Sequence, residues 1–310
     1  MGLMDTIRDE NVKWYGECVL QPGGPEWGEI FTEKLYGKKT HFLFELIQNA
    51  EDACERKRKS TGEMGYKLRF SLNEDGLIFR HNGILFDERD IRGICYLARH
   101  PDKEDVTQIG TFGIGFKSVY AYTSSPHVYS GEYAFKIENL VLPSEIEKDD
   151  VSENDVTVFH IPFNHKKVDS ETAYREIGKK LRDLELRTLL FLRNVREIVW
   201  EIDDETGSYS RECEYKEGHR LITLYKDGKN TEQWLIFEKE IPKDESKRVI
   251  EVAYLLKEDG KNQNIVRAKD TKLAVYFSTE KETHLHFLIQ GPYNTTATRE
   301  NIDDDDWNKS

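Results

Sequence analysis

Between His41 and Cys54, the apolar residues Leu43, Leu46, Ile47, Ala50, Ala53 and Cys54 recur at helical spacing. They predict a helix over residues 40–59, ended by Ser60, Thr61 and Gly62. At about 100° per residue, Glu45, Asn49 and Asp52 share one narrow stripe at the margin of the apolar arc. Gln48, Glu51 and Arg58 fall on what reads as the solvent face. Residues 67–72 then alternate with the period of a strand, 73–76 form a turn signal, and 77–80 read as the hairpin partner. Short helices are predicted at 5–17 and 27–36, a further helix at 88–99, a polar loop at 100–108 and a helix at 116–122. Residues 127–137 and 156–161 read as strands. A charged helical stretch at 170–190 leads into a strand-rich remainder, with strands at 197–202, 221–225, 234–238, 249–256, 273–277 and 286–289.

This order predicts an α+β chain of two domains. Residues 1–166 would form an α/β sandwich, a mixed and mostly antiparallel sheet with helices on one face. Residues 167–310 would form a connecting helix and a smaller β-rich α+β domain. The acidic run Asp303 to Asp306 resembles the first turn of a helix, which suggests a fragment of a longer protein.

Composition narrows the function. With 58 acidic against 45 basic residues and a net charge of −13, the chain is a poor candidate for nucleic acid or acidic membranes. The four cysteines, Cys18, Cys54, Cys95 and Cys213, are far apart and suggest neither a disulfide framework nor a zinc site. No apolar run approaches the roughly 20 residues of a membrane span. A soluble, cytoplasmic protein is expected.

Three segments carry candidate chemistry. On the first helix, a carboxylate (Glu45) lies one turn from a carboxamide (Asn49), an arrangement suited to a general base beside a magnesium ligand. In His81-Asn82-Gly83, a glycine would let backbone approach a planar ligand. In the run from Gly110 through Phe112, Gly113, Ile114, Gly115 and Phe116 to Lys117, backbone amides would cradle phosphate oxygens and Lys117 would add charge. Phe116 separates Gly115 from Lys117, so the run is not a Walker A loop. The order Gly-x-x-Gly-x-Gly also fails the dinucleotide fingerprint.

Together the three segments resemble the Bergerat-fold (GHKL) ATPases: gyrase B, the ninety-kilodalton heat-shock chaperones, histidine kinases and mismatch-repair ATPases. The run from Phe44 to Ala53, with His81-Asn82-Gly83 and residues 113–119, is most similar to sacsin-like modules. The resemblance covers residues 5–163. It implies Glu45 as the base that orients water, Asn49 as the magnesium ligand, and Asp52 near the nucleoside end or fixing the helix. Gly110, Gly113, Ile114, Gly115 and Phe116 would wrap the phosphates of ATP, Leu97, Ala98 and Arg99 would open a lid that includes Lys103, and Thr157 would stand near the adenine. Where the family has an aspartate that accepts the adenine amino proton, this chain has His81. That leaves three readings: adenine bound through neutral imidazole, relaxed base selectivity, or poor nucleotide binding. Residues 288–302 resemble the chaperones' middle-domain catalytic loop, and imply that Arg299 reaches the γ-phosphate. The implied function is magnesium-dependent ATP binding and slow hydrolysis that drives conformational change in a larger chaperone-like or defence-related protein. The alternatives are a non-hydrolysing nucleotide sensor or scaffold, and a DNA-processing ATPase. The remainder of a longer chain, a second copy or a client protein are the expected partners.

Overall fold

The computed structural model describes residues 2–15, 39–96, 115–243, 246–260, 262–295, 301–304 and 308. Two compact units emerge: Met1–Asp183 with Ile198–Thr206, and Leu184–Glu197 with Gly207–Ser310.

The first unit is built on an antiparallel sheet. Strand β1 (Tyr66–Asn73) pairs with β2 (Gly76–His81), as the hairpin signal predicts. β2 also pairs with β6 (Thr157–Pro162), and β6 with β3 (His127–Ser130). β3 continues to β4 (Tyr133–Glu138) and β4 to β5 (Leu142–Glu145). The single strand expected over 127–137 is thus a hairpin, turned at Gly131, whose φ of 58° lies in the left-handed region. Strand alternation places Leu68, Phe70 and Leu72, then Leu77, Phe79 and His81, then Thr157, Phe159 and Ile161 in register on one face.

Helix α1 (Leu3–Tyr15) is anchored by Asn11, whose amide donates to the carbonyls of Cys95 and Val141. Helix α2 (Phe42–Thr61) follows one turn of 3-10 helix and stops at Gly62, whose φ of 76° and N–H bond to the Arg58 carbonyl make a left-handed cap. Its apolar arc is buried as predicted, from Leu43 to Cys54. Gln48 and Glu51, read as solvent-facing, are buried too, so the α2 interior is wider than its apolar stripe. Helix α3 (Glu88–Cys95) starts in a capping box between Asp87 and Asp90, and Arg56 of α2 holds Asp90 at 2.6 Å. It ends at Cys95 with Tyr96 extended, and 97–99 lie outside the described residues. The helix expected over 116–122 is a 3-10 segment, Gly115–Ala121. Helix α4 (Ser170–Arg182), capped by Asp169, belongs to this unit and not to the second. The reason is packing: Ala173, Ile177 and Leu181 are buried, and a Cβ on Gly178 would lie 3.3 Å from Leu72. The expected helix at 27–36 lies outside the described residues.

Strand β7 (Val195–Ile202) is divided between the units. β8 (Glu205–Lys216), whose first two residues fall in the first unit, forms an antiparallel series with β9 (His219–Lys226), β10 (Lys229–Lys243) and β11 (Ser246–Asp259) of the second. Asp227 and Gly228, both at positive φ, turn β9 into β10 where the sequence signals a hairpin. β12 (Asn262–Val266) pairs with β11, as does β15 (Leu288–Gln290). β13 (Lys272–Val275) runs parallel to β15 and antiparallel to β14 (Phe277–Glu282), which makes the sheet mixed. The fold class is α+β, with few helices and much sheet.

Candidate functional site

The site grows from α2. Glu45 is 4% exposed, and its Oε1 lies 3.9 Å from Nδ1 of His41, one turn earlier. A Cβ on Gly115 would lie 2.6 Å from the Glu45 carboxyl carbon, so the carboxylate rests directly on the glycine's Cα. Only glycine allows that approach. Asn49 and Asp52, further along the same stripe, are half-buried. The predicted stripe therefore runs from a buried acid to two partly accessible polar groups.

His81 ends β2 opposite Thr157. Its ring lies 6.0 Å from Phe79 and 6.1 Å from Phe159, and burial pushes its pKa down to about 4. The Gly83 N–H donates to its Nδ1 at 3.3 Å. Thr157 is fully buried and shares a hydrogen bond with the Ser130 hydroxyl at 2.6 Å, while Ser130 also accepts from the Phe86 N–H. Phe116, first after the glycine run, packs on Phe159 at 5.6 Å. The structure thus gathers His81, Thr157 and Phe116 around Phe159, and Glu45 with Gly115.

Three predicted binding residues have other duties. Asn82 accepts the Lys67 N–H through its side chain and the Lys57 ammonium through its carbonyl, tying β1 to α2. Gly83 faces helix backbone, not a planar ligand: a Cβ there would lie 2.9 Å from the carbonyl carbon of Ala53. Lys117 turns inward. Its ammonium donates to the carbonyls of Ile94 and Leu140, and burial lowers its pKa to about 8. Asn139 and Leu140 both have positive φ, so Lys117 pins a strained turn and does not point toward a phosphate. Gly110, Phe112, Gly113, Ile114, Lys103 and Arg299 lie outside the described residues. The described flanks of the Arg299 segment are joined by a bridge between Thr295 and Ile302.

Sequence reasoning did not single out Ser130, Phe159 or His41. The alternation of β6 puts Phe159 on the face of Thr157, and His41 stands one helical turn before Glu45, so both signals were present. Ser130 had none, because its role depends on a long-range strand pairing.

The sacsin domain family model matches residues 30–139. Protein NO VEIN of Arabidopsis thaliana is 26% identical over 91% of this chain, which covers 11% of that protein. Human sacsin is 35% identical over 32% of the chain, covering 2% of sacsin. The chaperone protein HtpG of Vibrio vulnificus is 25% identical over 66% of the chain and 32% of its own length. The chain therefore spans about a third or less of each of these relatives. The chain thus resembles a sacsin-like module of the GHKL type to which the heat-shock chaperones belong. Among the described residues, no helix is long and apolar enough to cross a membrane.

Proposed function

We propose that this module binds a nucleoside triphosphate with magnesium and hydrolyses it slowly, ATP being the nucleotide its class implies. Turnover would drive a conformational change in a larger chaperone-like or defence-related protein. The observation that carries the reading is the Glu45 carboxylate resting on Gly115, at the exit of a glycine-rich run and one turn before Asn49. A ligand phosphate cradled by that run would lie beside a buried acid able to align water. The half-buried Asn49 carboxamide suits magnesium, which keeps several waters and takes phosphate oxygens with few protein ligands. When bound, the ion would neutralise phosphate charge. Glu45 would orient the attacking water, and backbone amides near Gly115 would hold the transferred group. The net charge of −13 speaks against a DNA-processing role.

Calorimetry with ATP tests binding. With magnesium we expect saturable binding that weakens at least tenfold in EDTA and in Asn49→Ala. Absence of binding under both conditions would overturn the reading.

A further inference from the structure

Helix α4 contacts both segments that meet at Glu45 and Gly115. It is itself a fixed base: Ala173, Ile177 and Leu181 are buried, and Gly178 packs on Leu72 of β1. Tyr174 donates to Asp203, and Arg182 to Glu205 at 2.8 Å, which ties α4 to the turn between β7 and β8. Glu176 and Lys180 stand one helical turn apart, so they share a face of α4. Glu176 accepts the Tyr122 hydroxyl at 2.8 Å. Tyr122 is fully buried, directly follows the Gly115–Ala121 segment, and its ring lies 5.7 Å from Phe42 at the start of α2. The Lys180 ammonium lies 4.8 Å from the centre of the Phe44 ring, within cation–π range. Phe44 precedes Glu45, and its ring is 5.8 Å from His41, whose Nδ1 lies 3.9 Å from the Glu45 carboxylate.

A hydrogen bond and a cation–π contact fix direction as well as distance, which apolar packing alone does not. The contact they frame has little tolerance, since there is no room for even a methyl group between Gly115 and Glu45. A misplacement of about 1 Å at a reacting group can cost about 10²-fold in rate. We propose that Glu176 and Lys180 are positioning residues for hydrolysis. Acting through Tyr122 and Phe44, they set the spacing between α2 and the Gly115 segment, and so the aim of Glu45, without touching the nucleotide. This assignment rests on the nucleotide reading above and adds the helix that holds its base in line.

Single-turnover phosphate release and calorimetry, both with magnesium and ATP, separate positioning from binding. Lys180→Met keeps the stem and loses the charge; Tyr122→Phe keeps the ring and loses the hydroxyl. Each should slow release about tenfold with affinity within about twofold of wild type. Lys180→Arg restores a cation over Phe44 and should return the rate to within about threefold of wild type. In a Glu45→Ala background, Lys180→Met should add no further slowing, because it acts through Glu45. The half-buried Lys180 carries the test if Tyr122→Phe fails to fold. A wild-type rate in either variant, no recovery in Lys180→Arg, an affinity loss as large as the rate loss, or further slowing without Glu45 would overturn the positioning role and leave the nucleotide reading standing. A wild type that does not hydrolyse ATP would remove both.

Discussion

The two units bury charge in different ways. In the second, Arg220 is 4% exposed and lies 2.5 Å from Glu251 and 2.9 Å from Glu238, while Arg193 approaches Glu251 at 3.3 Å. Opposite charges meet there, in the middle of the strand series. In the first unit, Lys117 is fully buried between two carbonyls, and His81 is kept neutral with one ring nitrogen held by backbone. Balanced burial fixes a structure, whereas burial without a counter-charge persists where the fold forces it or a ligand completes it. The second unit thus pairs its buried charges with each other, and the first satisfies its buried groups through backbone.

The sharpest way to break this contrast is in the second unit. Arg220→Leu should cost about 3 kcal/mol, because it leaves buried Glu251 with only the half-exposed Arg193 as a partner, and Arg220→Leu with Glu251→Leu should recover most of that loss. Urea unfolding of both variants measures it; a double variant no better than the single would show that the pair does not act as a pair.

Lys117 should respond in the opposite sense to pH. Its folded pKa, about 8, lies below the ordinary 10.5, so the unfolded chain binds more proton between those values. Stability should therefore rise from pH 8 to pH 10.5, by about 3 kcal/mol relative to Lys117→Met. Parallel stability curves for the two proteins would contradict the inward placement.

His81 titrates on the acid side. With a folded pKa of about 4 against 6.5, the unfolded chain again takes up more proton, and stability should fall as pH drops from 6.5 to 4. The loss relative to His81→Asn should reach about 3 kcal/mol and be absent above pH 7. An unchanged difference between the two melting curves across that range would remove His81 from the buried face.

The smallest expected effect concerns backbone contact. Gly83→Ala should destabilise by about 1–3 kcal/mol, since its methyl would press on the carbonyl carbon of Ala53 at 2.9 Å. Thermal unfolding checks this, and a neutral result would return Gly83 to the ligand.

These placements mark what the sequence could and could not reveal. Helical spacing correctly gathered Leu43 to Cys54 and set Glu45 at their margin, because periodicity reports angle around an axis. It misjudged Gln48 and Glu51, since angle says nothing about what covers a face. Gly83 and Lys117 sat in motifs that suggest ligand contact, yet their partners are the α2 backbone and the Leu140 turn, both distant in sequence. β8 escaped notice because Glu205, Glu212, Glu214 and Lys216 give it too little apolar alternation, and pairing with β9 supplies what its own sequence lacks.

Single-turnover phosphate release with magnesium and ATP, wild type against Glu45→Ala, tests the central claim most directly. The account predicts a rate about 10² to 10⁴ lower in the variant, with nucleotide affinity within about twofold. Equal rates in the two proteins would contradict it.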